Sequence, residues 1–451
     1  MVNKVNLLSW LYQEFGLESV YRAGPNAWLI ILSRSSRMFA YGAASIIIAL
    51  LFSALEFSDF RIGLFMTLTL VGDVILTLLL TLVADKVGRR RTLLLGSFLM
   101  VLSGVIFMVS DSYWILVIAA VVGVVSATGS DFGPFRAIEE SIVSQLTTTE
   151  TRSNVLTWYV TSASLGSAIG TEASGRVVDA LKAREGWTIV DAYHGIFGVY
   201  VVMGLLNMAC VGLMTERTEA DHGEKQSDVV LEEVEPLTLE GRLSVDDSTN
   251  AVPPKQSTFA QISKKTRSVM FKLWPLLIVD SLADGMVGYS LTTYYMERRF
   301  HIATSTLGDI TSISYFLSAG STIFSGPLAN RLGLINTMVF THLPSSAAVL
   351  LFPLAPNLAL TIVLFFIRTG LNNMDQAPRA AFIAAAVQPS ERTAVMGITS
   401  MLRTLAATTG PSVTGWLAES DQFWIAFVLA GSLRIAYDCG LWALFVNMKI
   451  Q

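Results

Sequence analysis

Long apolar stretches alternate with short polar breaks along almost the whole chain. Trp114–Thr128, Val199–Met214 and Phe423–Leu433 carry no charged residue at all. A helix that crosses the hydrocarbon core of a membrane needs roughly 20 mainly apolar residues. By that measure the chain holds about twelve spans, near 27–53, 60–84, 92–110, 113–146, 152–179, 195–214, 271–296, 304–330, 335–355, 358–388, 392–419 and 421–447. Between the sixth and seventh lies a polar, acidic segment, 216–268, that holds Pro253-Pro254. It has too little apolar area to fold alone. The pattern predicts an all-α integral membrane protein with twelve transmembrane helices. Its parts are an N-terminal segment 1–26, a six-helix bundle 27–215, a linker 216–268 and a second six-helix bundle 269–451.

Composition agrees. The chain of 451 residues is 52% hydrophobic and 15% charged, where a soluble protein carries about 25% charged residues. The net charge of -4 is uneven, because eleven acids from Glu216 to Asp247 fall in the middle segment. Residues 1–24 carry Glu14 and Glu18 and lack a compact apolar core, unlike a secretory signal. Cys210 and Cys439 sit in apolar spans and read as buried, unreactive thiols. No disulfide framework or zinc spacing is expected. His194, His222, His301 and His342 are far apart and give no metal spacing. No Walker-type Gly-Lys-Ser/Thr loop occurs, which argues against ATP-driven transport.

Basic residues in short loops set the orientation of membrane helices. Lys86, Arg89, Arg90 and Arg91 follow span 2. Arg152, Arg331 and Arg392 follow spans 4, 8 and 10. All lie on one side if the spans alternate, which predicts both termini in the cytoplasm of a cell, at the plasma membrane or an organelle. The mixed clusters Lys182-Arg184-Glu185 and Arg298-Arg299 on the other side are exceptions.

Two loop signatures stand half a chain apart, Ala84-Asp85-Lys86-Val87-Gly88-Arg89-Arg90-Arg91 and Ala329-Asn330-Arg331-Leu332-Gly333. Gly170 and Gly175 recur 240 residues later as Gly410 and Gly415. Such markers imply two halves built on one plan. The first signature resembles the loop between helices 2 and 3 of the major facilitator superfamily, with Thr81 in place of the opening Gly and Lys86 in place of the usual Arg. In the second copy Asn330 replaces the acid. The resemblance implies a secondary transporter with a gating loop at Asp85, Gly88, Arg89 and Arg90. It also implies that spans 1, 4, 7 and 10 line a central cavity.

An ionisable side chain at bilayer depth costs roughly 2.5–3.5 kcal/mol and needs a partner, water or a role. Here such residues gather on the spans named above: Arg34 and Arg37 on span 1; Asp131, Arg136, Glu139 and Glu140 on span 4; Asp280 and Asp284 on span 7; and Arg368, Asp375 and Arg379 on span 10. Asp73, Glu172, and the pair Arg434 and Asp438 add to them. At 1.5 Å per residue, Arg37 lies about 15 Å deep and Glu139 about 10 Å, so Arg37 can reach Glu139 or, across the halves, Asp284. Spacing of three or four residues offers Arg136 with Glu139 or Glu140, and Asp375–Arg379 and Arg434–Asp438, as local pairs. Pro134, after Gly129 to Gly133, kinks span 4. Tyr41, Tyr289, Tyr294 and Tyr295 could stack on an organic substrate or mark an interface.

The expected function is alternating-access transport of a small organic solute, drug- or metabolite-antiporter-like. Protons are the expected coupling ion, with Glu139, Asp131 and Asp284 as their carriers. One alternative is an organic-anion or phosphate carrier using Arg34, Arg37 and Arg379. Another is a non-transporting nutrient sensor that signals through the middle segment. The expected partners are the lipid bilayer, a small-molecule substrate and protons, with no nucleic acid, cofactor, metal or enzymatic activity. A monomer is expected.

Overall fold

The computed structural model describes residues 17–123, 125, 134–219, 263–388 and 391–448. All of their regular structure is helical. Span 1 is a single helix, Pro25–Ala54. Pro25 opens it, where a missing N–H costs nothing. Spans 2, 3, 5 and 6 are Asp59–Val87, Arg89–Val109, Thr149–Lys182 and Ile189–Leu213. Spans 8, 9, 11 and 12 are Thr304–Leu332, Leu334–Leu351, Arg392–Glu419 and Phe423–Phe445. Ser58, Thr148 and Thr188 cap helix starts by accepting a backbone N–H three residues on.

The two loop signatures turn alike. Gly88 and Gly333 have φ of +106° and +85°, a backbone region that side chains rarely adopt. Each links two helices with no further loop.

Spans 4, 7 and 10 are interrupted. Span 4 consists of Tyr113–Val122 and Pro134–Leu146. The first of these helices ends with its cap at Gly123, and residues 126–133, which precede Pro134, lie outside the described residues. Span 7 consists of Lys264–Met286 and Tyr289–Phe300, parted at Val287-Gly288. Span 10 consists of Leu358–Asn372 and Gln376–Ala386, joined by the 3-10 turn Asn373–Asp375.

Six of the described helices are long and apolar enough to cross a membrane by themselves. They belong to spans 1, 2, 3, 6, 9 and 12. The remaining spans are broken or carry polar faces. Phe98, Leu102, Trp114, Ile118, Leu205, Phe324 and Trp442 point outward and exposed, the arrangement of a surface solvated by lipid tails.

Spans 1–6 pack among themselves, as do spans 7–12. The two groups meet where span 5 lies along span 8, span 2 along span 11, and span 1 on the second helix of span 7. Glycines make these seams tight. A Cβ on Gly63 would fall 2.2 Å from the Pro411 carbonyl, and one on Gly415 would fall 2.5 Å from that of Asp59. On the other seam a Cβ on Gly175 would fall 2.5 Å from the Thr304 carbonyl, and one on Gly308 would fall 2.7 Å from that of Thr171.

Polar contacts between the groups gather at the end away from the termini. The Tyr294 hydroxyl donates to Asp59 at 2.7 Å, and Arg298 binds both Asp59 and Asp421, the latter at 3.1 Å. Arg176 reaches Asp309 at 3.1 Å, and Asp179 accepts the Ser305 N–H at 3.1 Å. This far end is sealed.

Candidate functional site

Between the two groups lies a cavity of about 660 Å³. It is within the range of small-molecule sites, about 300–1,000 Å³. Spans 1, 2, 4, 5, 7, 8, 10 and 11 line it. Among the described residues, five arginines reach its wall, Arg34, Arg136, Arg368, Arg379 and Arg403, against one acid, Asp284.

On the N-terminal side, Arg37 and Glu139 form a bidentate pair, Nη1 to Oε1 at 2.9 Å and Nη2 to Oε2 at 2.7 Å. Both side chains are fully buried, behind the cavity wall. Of the two partners that depth allowed Arg37, the structure takes the one in the same half. The Tyr159 hydroxyl donates to Glu139 at 2.8 Å, and the Arg37 guanidinium stacks 4.4 Å from the Phe135 ring centroid. Arg34 lies on the Tyr159 ring at 3.9 Å and reaches the cavity. Arg136 pairs with Glu140 at 2.7 Å on a half-exposed face. Tyr41 is buried and stacks on Tyr200, so it does not present a face to a ligand. Asp131 and the side chain of Asp85 lie outside the described residues.

On the C-terminal side, spans 7, 9, 10, 11 and 12 bring a larger network together. Arg379 bridges Asp280 at 3.3 Å and Asp375 at 3.2 Å. Arg403 donates to the Ser281 hydroxyl at 3.0 Å and comes within 4.0 Å of Asp280. Arg434 binds Asp284, the Asn372 side-chain oxygen and, at 2.7 Å, Nε2 of His342. Nδ1 of His342 meets Asp438 at 2.7 Å, and Ser346 donates to the other Asp438 oxygen at 2.8 Å. Arg434 therefore turns away from Asp438, its neighbour four residues on. Such spacing makes contact possible, but the carboxylate of span 7 and the imidazole of span 9 compete for the same guanidinium.

An arginine can only donate, so Nε2 of His342 accepts and its Nδ1–H donates to Asp438. This contact set belongs to the neutral imidazole. Asp284 is the acid of the network that reaches the cavity, with 36% of its side chain exposed. Asp280 and Asp375 are buried behind the wall.

Tyr289 lines the cavity and stacks on Tyr315, ring centroids 5.0 Å apart and 15° from parallel. Tyr294 and Tyr295 sit instead in the sealed end, within an aromatic cluster that includes Phe423. Arg368 donates to the Thr292 hydroxyl at 2.8 Å and to the Val287 carbonyl, knitting the break in span 7.

The signature loop after span 2 is held within its own half. The Glu219 carboxylate accepts the Arg89 N–H at 2.7 Å and that of Arg90 at 3.2 Å, an anion at the start of span 3 where the helix dipole favours it. Arg89 also donates to Gln145 at 2.8 Å, while Arg90 caps the end of span 6 at Val211 and Gly212. Gly88 leaves room for Glu219, whose carboxylate would stand 3.2 Å from a Cβ there.

Sequence reasoning did not single out Tyr159, His342 or Arg403. His342 was weighed only as a metal ligand. It sits at bilayer depth on a span otherwise free of charge, a signal in its own right.

The model of the Major Facilitator Superfamily matches residues 30–271 and 273–447. The chain is 32% identical over 418 residues to the uncharacterized membrane protein YJR124C of Saccharomyces cerevisiae, covering 92% of this chain and 93% of that one. Among solved structures it superposes on the nucleoside transporter NupG with a TM-score of 0.68 at 13% identity, covering 94% and 100% of the two chains. A bacterial homologue of Spinster, inward-facing and occupied, gives 0.68 at 12% identity, covering 92% and 95%. The D-xylose-proton symporter gives 0.64 at 13%, covering 92% and 97%. These likenesses carry the fold, and the match to the family model spans both halves. The chain is an integral, multi-pass membrane protein that belongs to the major facilitator superfamily of small-solute transporters.

Proposed function

We propose that the protein is a proton-coupled secondary transporter that carries a small organic solute by alternating access. The moving bodies are the six-helix bundles 27–215 and 269–451. With both termini in the cytoplasm, as the basic loops suggest, the conformation seen here is open inward and sealed outward.

The observation that carries the coupling is the contact between Arg434 Nη2 and His342 Nε2 at 2.7 Å. Histidine is the side chain whose ordinary charge change falls near neutral pH. A proton on Nε2 would turn an acceptor into a donor facing a donor, so the Arg434 contact must break. Asp280, whose carboxylate lies 3.5 Å from Nε2, stands ready to take the new N–H. Arg434 also holds Asp284 at the cavity wall, so proton uptake behind the wall changes the charge presented to the solute. Glu139, locked by Arg37 and Tyr159, serves to fix the N-terminal wall.

The test uses a solute found by thermal-shift screening and the purified protein in liposomes. The wild type is expected to accumulate it against its gradient when a pH gradient is imposed. His342→Gln can still accept from Arg434 but cannot take up a proton. It should keep exchange of labelled for unlabelled solute and lose accumulation. Accumulation by the variant equal to the wild type would overturn the assignment.

A further inference from the structure

Every arginine of the C-terminal wall except one has a carboxylate within 4 Å. Arg379 has Asp280 and Asp375, Arg403 has Asp280, and Arg434 has Asp284. Arg368 lines the cavity, is 7% exposed, and has only the neutral partners Thr292 and Val287 among the described residues. Three of its five N–H donors are left over. Asp284, the nearest acid of the wall, is held by Arg434, so a ligand that brings a carboxylate into contact with Arg368 offsets the cost of burying its charge.

The surroundings narrow the ligand. Thr292 and Val287 flank the break in span 7, so the guanidinium stands at the start of the 12-residue helix Tyr289–Phe300. The positive end of that helix dipole favours an anion at the same point. Nothing lies within 4 Å of where a Cβ on Gly288 would be, so a ligand can approach the backbone closely. Beside it, on the cavity wall, lies the parallel Tyr289–Tyr315 pair.

We propose that Arg368 anchors an anion subsite and that the solute bears a carboxylate on a planar aromatic body resting against Tyr289 and Tyr315. This deepens the transport reading above and rests on it only for the path by which the solute enters. It also replaces Arg37 as an anion ligand, since Arg37 is closed off by Glu139.

The experiment measures equilibrium binding to the purified full-length protein in detergent at one fixed pH, by thermal shift and by competition. The probe is 2-naphthoate, set against its neutral amide 2-naphthamide, against acetate and against inorganic phosphate. Naphthoate should stabilise the protein saturably, and the other three should do so weakly or not at all. Arg368→Gln should lose about tenfold or more in naphthoate affinity, the scale of a hydrogen bond to a charged group, and bind acid and amide alike. Tyr289→Ala should weaken naphthoate and leave acetate unchanged. If Arg368→Gln does not fold, Arg368→Lys decides. It keeps the charge and should still prefer naphthoate to the amide. Equal binding of naphthoate and naphthamide by the wild type, or an unchanged preference in Arg368→Gln, would show that Arg368 only caps the helix break. Because no pH gradient is involved, that result leaves the proton-coupling assignment standing, and failure of accumulation in liposomes leaves this one standing.

Discussion

The glycine seams set the conformation, and one added methyl group tests this. A Cβ on Gly415 would stand 2.5 Å from the Asp59 carbonyl and 3.0 Å from the Gly63 Cα, where ordinary contacts are 3.4–4 Å. Two helix backbones must therefore part by roughly 1 Å, and overpacking of this kind costs about 1–3 kcal/mol. The cost falls only on the state in which the far-end seam is closed. Gly415→Ala should thus shift the equilibrium toward far-end opening by roughly 5- to 150-fold. Gly175→Ala on the other seam, 2.5 Å from the Thr304 carbonyl, should do the same. Gly170→Ala is the discriminating control. Its Cβ would stand 2.1 Å from the Phe39 carbonyl, within one half, so it should lower Tm with no change in that equilibrium. Gly212→Ala, with nothing within 4 Å, should change neither. Spin labels at Glu185→Cys and Leu354→Cys, with Cys210 and Cys439 replaced by serine, would report the far-end distance by pulsed electron paramagnetic resonance. An unchanged distance distribution in folded Gly415→Ala and Gly175→Ala would refute the reasoning, as would a shift of equal size in Gly170→Ala.

Other outcomes follow from single contacts. Arg37→Ala should destabilise the protein by about 3–5 kcal/mol, because it strands buried Glu139. In a double-mutant cycle on thermal stability, Arg37→Ala should couple to Glu139→Gln by about 1 kcal/mol or more and be additive with Asp284→Asn. Asp59→Asn weakens a partly exposed latch with Arg298 and Tyr294, so it should raise far-end opening by only a few-fold, on the scale of about 0.2–1 kcal/mol for such pairs; a loss of folding would contradict this. At the termini side, the Thr266 hydroxyl and the Ser263 N–H and hydroxyl hold the Glu391 carboxyl below its ordinary range, against the desolvation that pushes it up. Its contribution is therefore present above the unfolded value and lost as pH falls through the folded one, so Glu391→Gln should flatten the acid side of a Tm-against-pH profile.

The fold was legible because membrane helices announce themselves by length and apolarity, and because the two loop signatures repeat. The charged spans were legible for a related reason: an ionisable residue at depth needs an explanation. Partner choice was legible where one helix supplies a single candidate, as in Asp375–Arg379. For Arg136 and Arg37 the sequence left two acids each, and the packing chose Glu140 and Glu139. Partner choice failed for Arg434, because Asp438 lies close on the same helix while Asp284, His342 and Asn372 arrive only when spans 7, 9 and 10 converge. The break in span 7 was missed as well. Val287-Gly288 carries no proline and is fixed by Arg368 and Thr292 from the tertiary structure.

The two halves share a plan and divide the work differently. Gly170 packs against span 1 and Gly410 against span 7, while Gly175 and Gly415 each face the opposite half near a helix start. The shared offset of 240 residues is thus a shared set of contacts, and it explains why both seams close together. The charges do not follow that symmetry. Arg37 and Glu139 hold each other in a bidentate pair, with a tyrosine on the same carboxylate, and neither side chain has an exposed edge. The C-terminal network instead holds an imidazole between an arginine and an acid, with a second acid nearby and a third exposed in the cavity. The proposed coupling and the proposed anion subsite both fall on spans 7–12, so on these two proposals the C-terminal wall carries the chemistry and the N-terminal wall, closed by its buried ion pair, is the fixed body against which it moves.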